Sequence, residues 1–353
     1  MKSALREIAG CGRPEAPRMN KKRLPLSRED YVEGILRGDR RVLARAVTMI
    51  ESAREADREL AEQIVEDCLP HSGHSIRVGI TGVPGAGKSS LIESLGRYLV
   101  AELKQKVAVL AIDPSSQVSG GSILGDKTRM TTLAASEMAF VRPSPSRGIA
   151  GGVAQRTREA MLLCEAAGYS NILVETVGVG QSETAVHEMV DFFILVTLAG
   201  AGDELQGIKR GVMELVDLVA VNKADGANSM AAERARAQAQ NALHYFPESG
   251  SKWTPRALSC SALTGAGIRE LWECVLEYTG ITRKNGWFAR ARCDQQKRWM
   301  REMIEQALRQ RFEANPAVRH SMQALEEDVA EGRTTSFRAA RMLLEMYSRA
   351  IAQ

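Results

Sequence analysis

The residues best suited to chemistry lie in a glycine-rich segment with the spacing GxxxxGK[ST], between a predicted strand and a predicted helix. Glycine permits backbone conformations in which successive N–H groups point inward, and these donors can hold phosphate anions together with a helix N-terminus. In this motif the lysine, Lys88, reaches the β- and γ-phosphates, and the hydroxyl of Ser89 binds Mg²⁺. The residues predicted to bind a nucleotide here are Gly82, Val83, Pro84, Gly85, Ala86, Gly87, Lys88, Ser89 and Ser90.

A second motif indicates which base the nucleotide carries. Asn222, Lys223 and Asp225 form an NKxD tetrad with Ala224 at the end of a later predicted strand. The Asp225 carboxylate can accept hydrogen bonds from guanine N1–H and from its exocyclic amine, whereas adenine would leave that carboxylate unpaired. The sequence therefore predicts a guanine nucleotide. A further loop, after the last predicted strand, is expected to contact the base through Ser261, Ala262 and Leu263.

Glu175 and Gly178 belong to the segment Glu-Thr-Val-Gly that closes the predicted strand beginning at Ile172. P-loop GTPases place a metal-binding acid and a glycine of a DxxG motif at this point of the fold. We therefore expect Glu175 near Mg²⁺ or its waters, and the Gly178 N–H near the γ-phosphate. The alternative is a strand end followed by an ordinary turn.

Two aspartates are further candidates for the metal site. Asp113 ends the second predicted strand, and an acid at the carboxyl end of a parallel strand is well placed beside a phosphate loop. Its alternative role is a helix N-cap. Asp126 lies in the Gly/Ser-rich segment 115–130, whose composition is typical of a mobile switch, and its alternative role is a solvated loop charge.

Val179 bears on the rate of hydrolysis. It follows Gly178 directly, where Ras-like enzymes carry a glutamine that orients the attacking water. Valine has no polar group with which to orient water, so we expect slow hydrolysis or the use of another group. Gln181 is close in sequence, but no sequence argument places it at the γ-phosphate.

The elements that must position these residues form an alternating pattern of apolar strands and helices. Such alternation predicts an α/β domain whose mainly parallel sheet is covered on both faces. The predicted strands are Ile76–Thr81, Val107–Ile112, Ile172–Glu175, Phe192–Thr197, Leu218–Asn222 and Arg256–Cys260. The predicted helices between and after them are 88–101, 153–167, 204–215, 229–244 and 267–278.

Helical segments flank this domain on both sides. The predicted organisation is a flexible arm over 1–26, a helical segment over 27–72, the α/β domain over 73–281 and a helical segment over 282–353. In the first helical segment a capping box begins at Ser27 and a second N-cap stands at Asp39. In the last, helices are predicted over 286–313, 316–331 and 336–351.

Apolar residues on the C-terminal helices form a heptad-like seam. One interpretation is that this seam packs on the chain's own α/β domain; the other, which we favour, is self-association. The seam on the last helix comprises Phe337, Ala340, Leu344, Tyr347 and Ile351. The long helix before it adds an apolar face of Trp299, Met303, Leu308 and Phe312.

Composition excludes several other classes of protein. Aromatic residues are only 5% of the 353 residues and the net charge is only +4, which argues against nucleic acid as a partner. The longest apolar run, Phe192–Ala201, is about half of a membrane span, and we expect no membrane segment and a cytoplasmic protein. No CxxC pair or histidine cluster indicates a metal site, and the six cysteines are expected to be reduced and to serve packing.

Taken together, these motifs resemble one family, the MeaB-like (ArgK-like) GTPases, which are bacterial relatives of the human methylmalonic aciduria type A protein. The resemblance covers approximately residues 30–350. Its most specific segments are GITGVPGAGKSSLIE (Gly79–Glu93), AIDPSS (Ala111–Ser116), GSILGDKTRM (Gly121–Met130), ETVGVGQSE (Glu175–Glu183), GDELQGIKRG (Gly202–Gly211) and NKAD (Asn222–Asp225).

The resemblance implies a SIMIBI-class P-loop GTPase domain with helical extensions, of which the C-terminal one forms a homodimer. It implies GTP/GDP and Mg²⁺ as ligands, with Asp113, Asp126 and Glu175 carrying the Mg²⁺ and switch chemistry, alongside Lys88 and Gly178 in catalysis. A third switch is implied over Leu198–Lys209, which includes Gln206; without the family, this stretch would read as the start of an ordinary amphipathic helix.

The partner implied by the resemblance is an adenosylcobalamin-dependent methylmalonyl-CoA mutase. Family members gate cofactor delivery to the mutase and protect it from inactivation, and their low GTPase activity rises when they bind it. Isobutyryl-CoA and ethylmalonyl-CoA mutases are alternative clients. An older family label, that of an ATPase or kinase for lysine/arginine/ornithine transport, conflicts with the NKAD tetrad.

Two other functions stay open at this point. A metallochaperone GTPase of the nickel-insertion type belongs to the same class, but usually carries a His-rich tract or paired cysteines, which this sequence lacks. A scaffold that binds nucleotide without turnover is the other. The intact set of Lys88, Ser89, Asp113 and Glu175 argues against such a scaffold.

Overall fold

The centre of the molecule is a parallel β-sheet. The computed structural model describes residues 26–52, 54–114, 130–146, 150–176, 182–199, 210–246 and 250–351. The strands among them are β1 (Ile76–Gly82), β2 (Val107–Pro114), β3 (Ala139–Ser146), β4 (Asn171–Glu175), β5 (Phe192–Leu198), β6 (Leu218–Asn222) and β7 (Arg256–Ser259). They pair in parallel in the order β3-β2-β4-β1-β5-β6-β7, so β1 lies at the centre of the sheet. The predicted α/β fold with a parallel sheet is therefore confirmed.

Helices precede, cover and follow this sheet. Before it are α1 (Arg28–Leu36), α2 (Arg40–Ile50) and α3 (Glu55–Cys68). Between the strands are α4 (Lys88–Ala101), α5 (Thr131–Ala135), α6 (Ala150–Ala166), α7 (Ser182–His187), α8 (Arg210–Met213) and α9 (Ser229–Leu243). After it are α10 (Ile268–Lys284), α11 (Trp287–Ala314), α12 (Pro316–Ala330) and α13 (Ser336–Ile351). Within the described ranges, no helix combines the length and apolar character that a membrane crossing requires.

The apolar strands bury both of their faces, as their composition predicts. Side chains of alternate residues, such as Phe193 and Leu195, join a core with α1–α3, α6, α7 and α9. Their neighbours, such as Phe192 and Ile194, join a second core with α4, α5 and α10. The helix that begins with the phosphate-binding residues is thus packed directly against the centre of the sheet.

The N-terminal helices begin where the sequence predicts. Ser27 and Asp30 form the predicted capping box, because the Asp30 N–H donates to Ser27 Oγ (3.1 Å) and the Ser27 N–H donates to Asp30 Oδ2 (2.9 Å). Asp39 caps α2 by accepting from the N–H groups of Arg41 and Val42. These caps satisfy N–H groups that have no partner within the helix.

Strand β3 was not predicted from the sequence. It contains Pro143 and Pro145, and proline cannot donate a hydrogen bond to a neighbouring strand. The structure resolves the conflict by placing β3 at the edge of the sheet, where its one partner strand within the described ranges is β2. An edge strand tolerates proline because alternate N–H groups face away from the sheet.

Two other boundaries differ from the sequence predictions. The predicted helix over 204–215 corresponds to α8 within the described residues, and its first six positions lie outside them. Helix α10 continues to Lys284, so the predicted domain boundary at 281 falls inside a helix. The α/β core and the C-terminal helices are therefore connected by only two residues, Asn285 and Gly286.

The first half of α11 is bound to the chain just before β5. Arg292 makes a two-pronged ion pair with Asp191 (2.6 and 2.7 Å), Gln295 Nε2 donates to the Val190 carbonyl (2.8 Å), and Trp299 Nε1 donates to the Glu188 carbonyl (3.2 Å). Helix α11 is also attached to α6, through an ion pair between Arg158 of α6 and Glu302 of α11 at 2.6 Å. Consequently α11 begins as part of the α/β core and leaves it only after these turns.

Buried ion pairs cluster at the amino ends of the central strands. Arg77 of β1 pairs with Glu165 of α6 at 2.8 Å, and both side chains are almost fully buried. Burial opposes ionisation of Glu165, but hydrogen bonds from Arg77, the Ser75 hydroxyl and the Gly73 N–H hold the pKa of Glu165 below its usual range. Arg292 extends this cluster by donating to the carbonyls of Gly73 (2.6 Å) and Ser75 (2.7 Å).

The Arg292–Asp191 pair should therefore be needed for stability. Replacing Arg292 with alanine leaves Asp191, whose side chain is only 4% exposed, without its cationic partner. Breaking one partner of a buried pair costs about 3–5 kcal/mol. We expect Arg292→Ala to lower the free energy of unfolding in urea by that amount. The matched control is Lys297→Ala on the same helix, whose ion pair with Asp294 is exposed and should contribute at most about 1 kcal/mol. Equal effects from the two variants would contradict this prediction.

Candidate functional site

The glycine-rich loop follows β1 and packs so closely against the neighbouring strands that two of its positions have no room for a side chain. Gly82 has φ 146°, and a Cβ at this position would lie 2.1 Å from the carbonyl oxygen of Val196 on β5. Gly87, with φ 88°, is the N-cap of α4, and a Cβ there would lie 2.6 Å from Asn222 Nδ2. The loop can therefore lie this close to β5 and β6 only because both positions lack a side chain.

Lys88 and Ser89 are the first residues of α4. Lys88 is buried along most of its length, and its ammonium donates to the carbonyls of Gly82 (2.8 Å) and Val83 (3.2 Å). Its charge thus lies within the loop, next to the N-terminus of a fourteen-residue helix, where positive potential favours an anion. At the tip of the loop Pro84 and Gly85 are exposed. Ser90 is also exposed, on the first turn of α4.

A buried pair of oxygen donors connects α4 to the end of β4. Ser89 Oγ donates to Glu175 Oε1 at 2.8 Å, and both side chains are less than 10% exposed. The residues at the strand ends are also joined, because Thr176 Oγ1 donates to Thr81 Oγ1 at 2.8 Å. The sequence places Ser89 and Glu175 separately at a Mg²⁺ site, and the structure shows that they contact each other. The Thr81–Thr176 contact was not predicted, because its only signal is a hydroxyl residue near each of two strand ends.

The Ser89–Glu175 pair has the chemistry that a magnesium site needs. Mg²⁺ takes oxygen ligands, is usually held by one or two protein groups, and retains several waters. A hydroxyl and a carboxylate within hydrogen-bond distance, at the N-terminus of a phosphate-binding helix, match that requirement. The residues present here therefore fit the ion.

Asn222 joins the glycine-rich loop to the loop after β7. Its Nδ2 donates to the Ala86 carbonyl (2.9 Å), and its Oδ1 accepts from the Ala262 N–H (3.0 Å). Asn222 itself is almost fully buried. Two chain segments far apart in sequence are thereby held on either side of one amide group.

Asp225 and Ser261 come together at the edge of this arrangement. Ser261 Oγ donates to Asp225 Oδ2 at 2.5 Å, and the same hydroxyl accepts from the Thr264 N–H at 3.2 Å. Lys223 is exposed and has φ 60°, a left-handed conformation that is uncommon for a residue with a side chain. Leu263 is also exposed. The structure therefore brings together the NKxD tetrad and the Ser-Ala-Leu loop that the sequence predicted to act jointly.

Other predicted residues lie partly or wholly outside the described chain. The backbone of Asp113 lies at the carboxyl end of β2, at the same edge of the sheet as the glycine-rich loop; its side chain is not among those described. The residues that fall outside the described ranges altogether are Asp126, Gly178, Val179, Gln181, Gln206 and Lys209.

The cysteine beside the site has a packing role. Cys260 follows β7 and is buried, and burial raises the pKa of its thiol to about 12. A thiol with this pKa stays protonated at neutral pH, which disfavours both nucleophilic attack and metal binding. Burial also raises the pKa of Cys68, to about 11, and of Cys274, to about 12.

Comparison with known proteins identifies a family and close relatives. The family model described as methylmalonyl Co-A mutase-associated GTPase MeaB matches residues 43–317. A putative GTPase of Caulobacter vibrioides is 49% identical over 313 residues, which are 89% of this chain and 95% of the relative. The GTPase ArgK of Escherichia coli is 46% identical over 81% of this chain and 86% of its own length.

A mitochondrial relative and a solved structure extend the comparison. The methylmalonic aciduria type A homolog of Mus musculus is 42% identical over 89% of this chain and 78% of its own length. The solved structure of a LAO/AO transport system kinase superposes with a TM-score of 0.73 at 37% identity, and the match covers 91% of this chain and 97% of that one. The shared architecture therefore includes regions on both sides of the sheet domain.

Proposed function

Because the chain belongs to the MeaB family of methylmalonyl-CoA mutase-associated GTPases, we propose that it is a GTP-hydrolysing chaperone of an adenosylcobalamin-dependent methylmalonyl-CoA mutase. In this role it gates cofactor loading into the mutase and protects the loaded mutase from inactivation. The observation that carries the proposal is the buried Ser89–Glu175 pair beside a complete phosphate loop, in a chain that matches the family model over most of its length.

GTP is the proposed substrate, and its phosphates are held by the loop from Gly82 to Ser90. Inward-facing N–H groups and the N-terminus of α4 supply hydrogen bonds to the phosphate oxygens. The Lys88 ammonium exchanges the carbonyls of Gly82 and Val83 for β- and γ-phosphate oxygens when GTP binds. The ammonium needs to move only a short distance for this exchange, because it already contacts the carbonyl groups of the loop.

Guanine is recognised at the end of the site that lies opposite the phosphate loop. Asp225 accepts from guanine N1–H and the exocyclic amine, and Ser261 orients the carboxylate through its 2.5 Å hydrogen bond. The Lys223 stem lies next to the phosphate loop, since its Cε would be about 4.0 Å from a side-chain Cβ at Gly87, and the stem provides an apolar surface for the face of the base. Asn222 keeps the two loops in register, while Ala262 and Leu263 line the edge of the base site.

Ser89 and Glu175 are proposed to hold Mg²⁺, with Asp113 and Asp126 as further acids of the metal and switch site. When bound, the ion neutralises charge that develops on the β- and γ-phosphoryl oxygens. The Gly178 N–H is proposed to contact the γ-phosphate. Val179 offers no group to orient water, so intrinsic hydrolysis is slow, and the mutase accelerates it by ordering the loops 115–130 and 198–209.

Nucleotide specificity provides the first test. We expect Asp225→Asn to weaken GTP binding sharply and to favour xanthosine triphosphate, because the C2 carbonyl of xanthine can accept from an amide donor. The Ser261 hydroxyl can accept from the new amide, so the local geometry should survive. Direct titration of the variant with both nucleotides measures the change, and Arg234→Ala, at an exposed position of α9, is the control that should leave both affinities unchanged. Unchanged GTP affinity in Asp225→Asn would show that this residue does not read the base.

GTP turnover with and without the mutase tests the chaperone proposal itself. We expect a low rate for the isolated protein and at least about a tenfold increase with the mutase, since a missing catalytic group can cost about 10³–10⁵ in rate. Lys88→Ala should abolish both rates, which separates this activity from contaminating phosphatases. Equal rates with and without the mutase would contradict stimulation. Absence of turnover under both conditions would favour a nucleotide-binding scaffold.

The C-terminal helices are proposed to form a homodimer. On α13 the side chains of Phe337, Leu344 and Ile351 are 84%, 56% and 65% exposed, an unusual apolar stripe for a monomer. Tyr347, which the sequence placed on the same seam, instead packs in its own chain against Phe312, with ring centroids 5.3 Å apart. Helix α11 adds further exposed apolar side chains, namely Met300, Met303, Ile304 and Leu308.

Charged substitutions within the exposed stripe should separate the subunits. We expect the double variant Phe337→Asp/Leu344→Asp to be monomeric in light scattering and to retain GTP binding, because both side chains lie far from the phosphate loop in sequence and are exposed. Arg338→Glu is the matched control, since it changes an exposed residue on another face of the same helix. A wild-type protein that is monomeric at micromolar concentration would refute the dimer.

A further inference from the structure

Two buried threonines join the end of β1 to the end of β4. Thr81 is the next-to-last residue of β1, and Thr176 directly follows the last residue of β4. Thr176 Oγ1 donates to Thr81 Oγ1 at 2.8 Å, and the Thr176 N–H donates to the Ile80 carbonyl at 3.0 Å. Both threonines are at most 1% exposed. Bulk water therefore cannot take the place of either partner, and one backbone and one side-chain hydrogen bond hold the two strand ends together.

The two hydroxyl groups lie on the face of the sheet opposite the proposed metal site. Successive side chains of a strand point to opposite faces, so Thr81 faces away from its neighbour Ile80. Ile80 belongs to the core that contains α4, and Glu175 contacts Ser89 on that helix. The contact between Thr81 and Thr176 is consequently behind Glu175. It can fix the backbone there without occupying a position that Mg²⁺, its waters or the nucleotide would need.

Each threonine is the covalent neighbour of a residue on which the site depends. Thr176 follows Glu175, the proposed metal ligand. Thr81 precedes Gly82, where the phosphate loop begins, and Gly82 is itself confined because a Cβ there would lie 2.1 Å from the Val196 carbonyl oxygen. The hydrogen bond between the threonines therefore sets the separation between the start of the phosphate loop and the backbone of Glu175.

Glu175 needs such support because it is the last position at which β4 is in register with its neighbours. Among the described residues, its partner on β1 is Ile80 and its partner on β2 is Ala111, and the pairing ends there on both sides. Strand ends open locally more readily than strand centres do. The hydroxyl contact acts one residue beyond the last pair, where it opposes local opening at the metal-binding carboxylate.

We propose that Thr176, through its hydrogen bond to Thr81, is a positioning residue for Mg²⁺ binding, which holds the Glu175 carboxylate at the place beside Ser89 that the ion requires. The inference rests on the proposed GTPase function and deepens it, because it assigns to a buried hydroxyl behind the site a role in the metal dependence of nucleotide binding.

This role predicts a selective defect. The phosphate loop offers its N–H groups and the Lys88 ammonium to phosphate oxygens, and neither depends on a metal ion. Only the contribution that Mg²⁺ adds to nucleotide affinity depends on the placement of Glu175 and Ser89. Loss of the Thr176 hydroxyl should therefore increase the Mg²⁺ requirement of GTP binding and leave the affinity without Mg²⁺ unchanged.

The test is a Mg²⁺ titration of wild type, Thr176→Val and Thr176→Ser in the presence of a fluorescent, non-hydrolysable GTP analogue. Valine keeps the shape of threonine without the hydroxyl, whereas serine keeps the hydroxyl. We expect Thr176→Val to raise the Mg²⁺ concentration for half-maximal binding by about tenfold, at the lower end of what losing a group that orients a metal ligand costs. Thr176→Ser should restore most of the Mg²⁺ affinity. Analogue affinity in excess EDTA should be the same for all three proteins.

A double variant separates positioning from stability. Thr176→Val leaves the buried Thr81 hydroxyl without its donor, which lowers stability, whereas replacing both partners with apolar groups of the same shape is nearly neutral. We expect Thr81→Val/Thr176→Val to recover the wild-type midpoint of urea unfolding while its Mg²⁺ requirement stays about tenfold higher.

Thr282→Val is the matched control for the loss of a buried threonine hydroxyl. Thr282 lies on α10, is fully buried, and donates to the Tyr278 carbonyl at 2.7 Å. We expect this variant to unfold at a lower urea concentration than wild type and to keep the wild-type Mg²⁺ requirement, because its hydrogen bond is not connected to Glu175.

Two results would overturn the role of Thr176. One is a wild-type Mg²⁺ requirement in Thr176→Val. The other is a double variant that recovers both its urea midpoint and its Mg²⁺ requirement, because Mg²⁺ affinity then follows stability alone. Analogue binding by wild type that is independent of Mg²⁺ would overturn this role together with the metal site of Ser89 and Glu175. If binding depends on Mg²⁺ but the mutase does not stimulate turnover, only the chaperone function fails, and the Mg²⁺ titrations still decide the role of Thr176.

Discussion

The amide of Asn222 is the contact on which the geometry of the site depends. It donates to the Ala86 carbonyl of the phosphate loop and accepts from the Ala262 N–H of the loop after β7. Because Asn222 ends a buried strand, neither loop can move relative to the sheet without losing one of these hydrogen bonds. The absence of a side chain at Gly87 is part of the same constraint, since a Cβ there would meet the amide nitrogen. One rigid group therefore sets the distance between the phosphate and base ends of the proposed GTP site.

The two ends of the parallel strands have different roles. At the carboxyl ends, polar side chains such as Ser89 and Glu175 contact one another within reach of a ligand. At the amino ends, the pair of Arg77 and Glu165 joins β1 to α6, and the pair of Asp191 and Arg292 attaches α11. Charges that stabilise the fold are thus kept a full strand length away from the charges of the proposed nucleotide site. The stabilising pairs can be strong without competing for the Lys88 ammonium or for the proposed Mg²⁺.

Features of the fold and of the site could be predicted from the sequence where the residues that determine them lie close together in the chain. The phosphate loop and the NKxD tetrad are contiguous, and their own residues dictate the turn and the helix start, so the sheet, α4 and the neighbourhood of Ser89 and Glu175 were predictable. Strand β3 was not, because Pro143 is compatible with a strand only at a sheet edge, and edge position is decided by strands elsewhere in the chain. Helical periodicity likewise placed Tyr347 on an apolar face but could not indicate that Phe312 covers it. The contact between Glu93 and Leu133 joins positions forty residues apart and has no local signal.

The position of β3 has a consequence for the behaviour of the protein at high concentration. A sheet of parallel strands has two open edges, and a long row of unpaired N–H groups at an edge can recruit a strand from another molecule. Here one edge is β3, where Pro143 and Pro145 remove donors, and the other is β7, which is only four residues long. Both edges therefore discourage strand addition, so uncontrolled fibrillar association through the sheet is disfavoured while the exposed helices remain available for specific contacts.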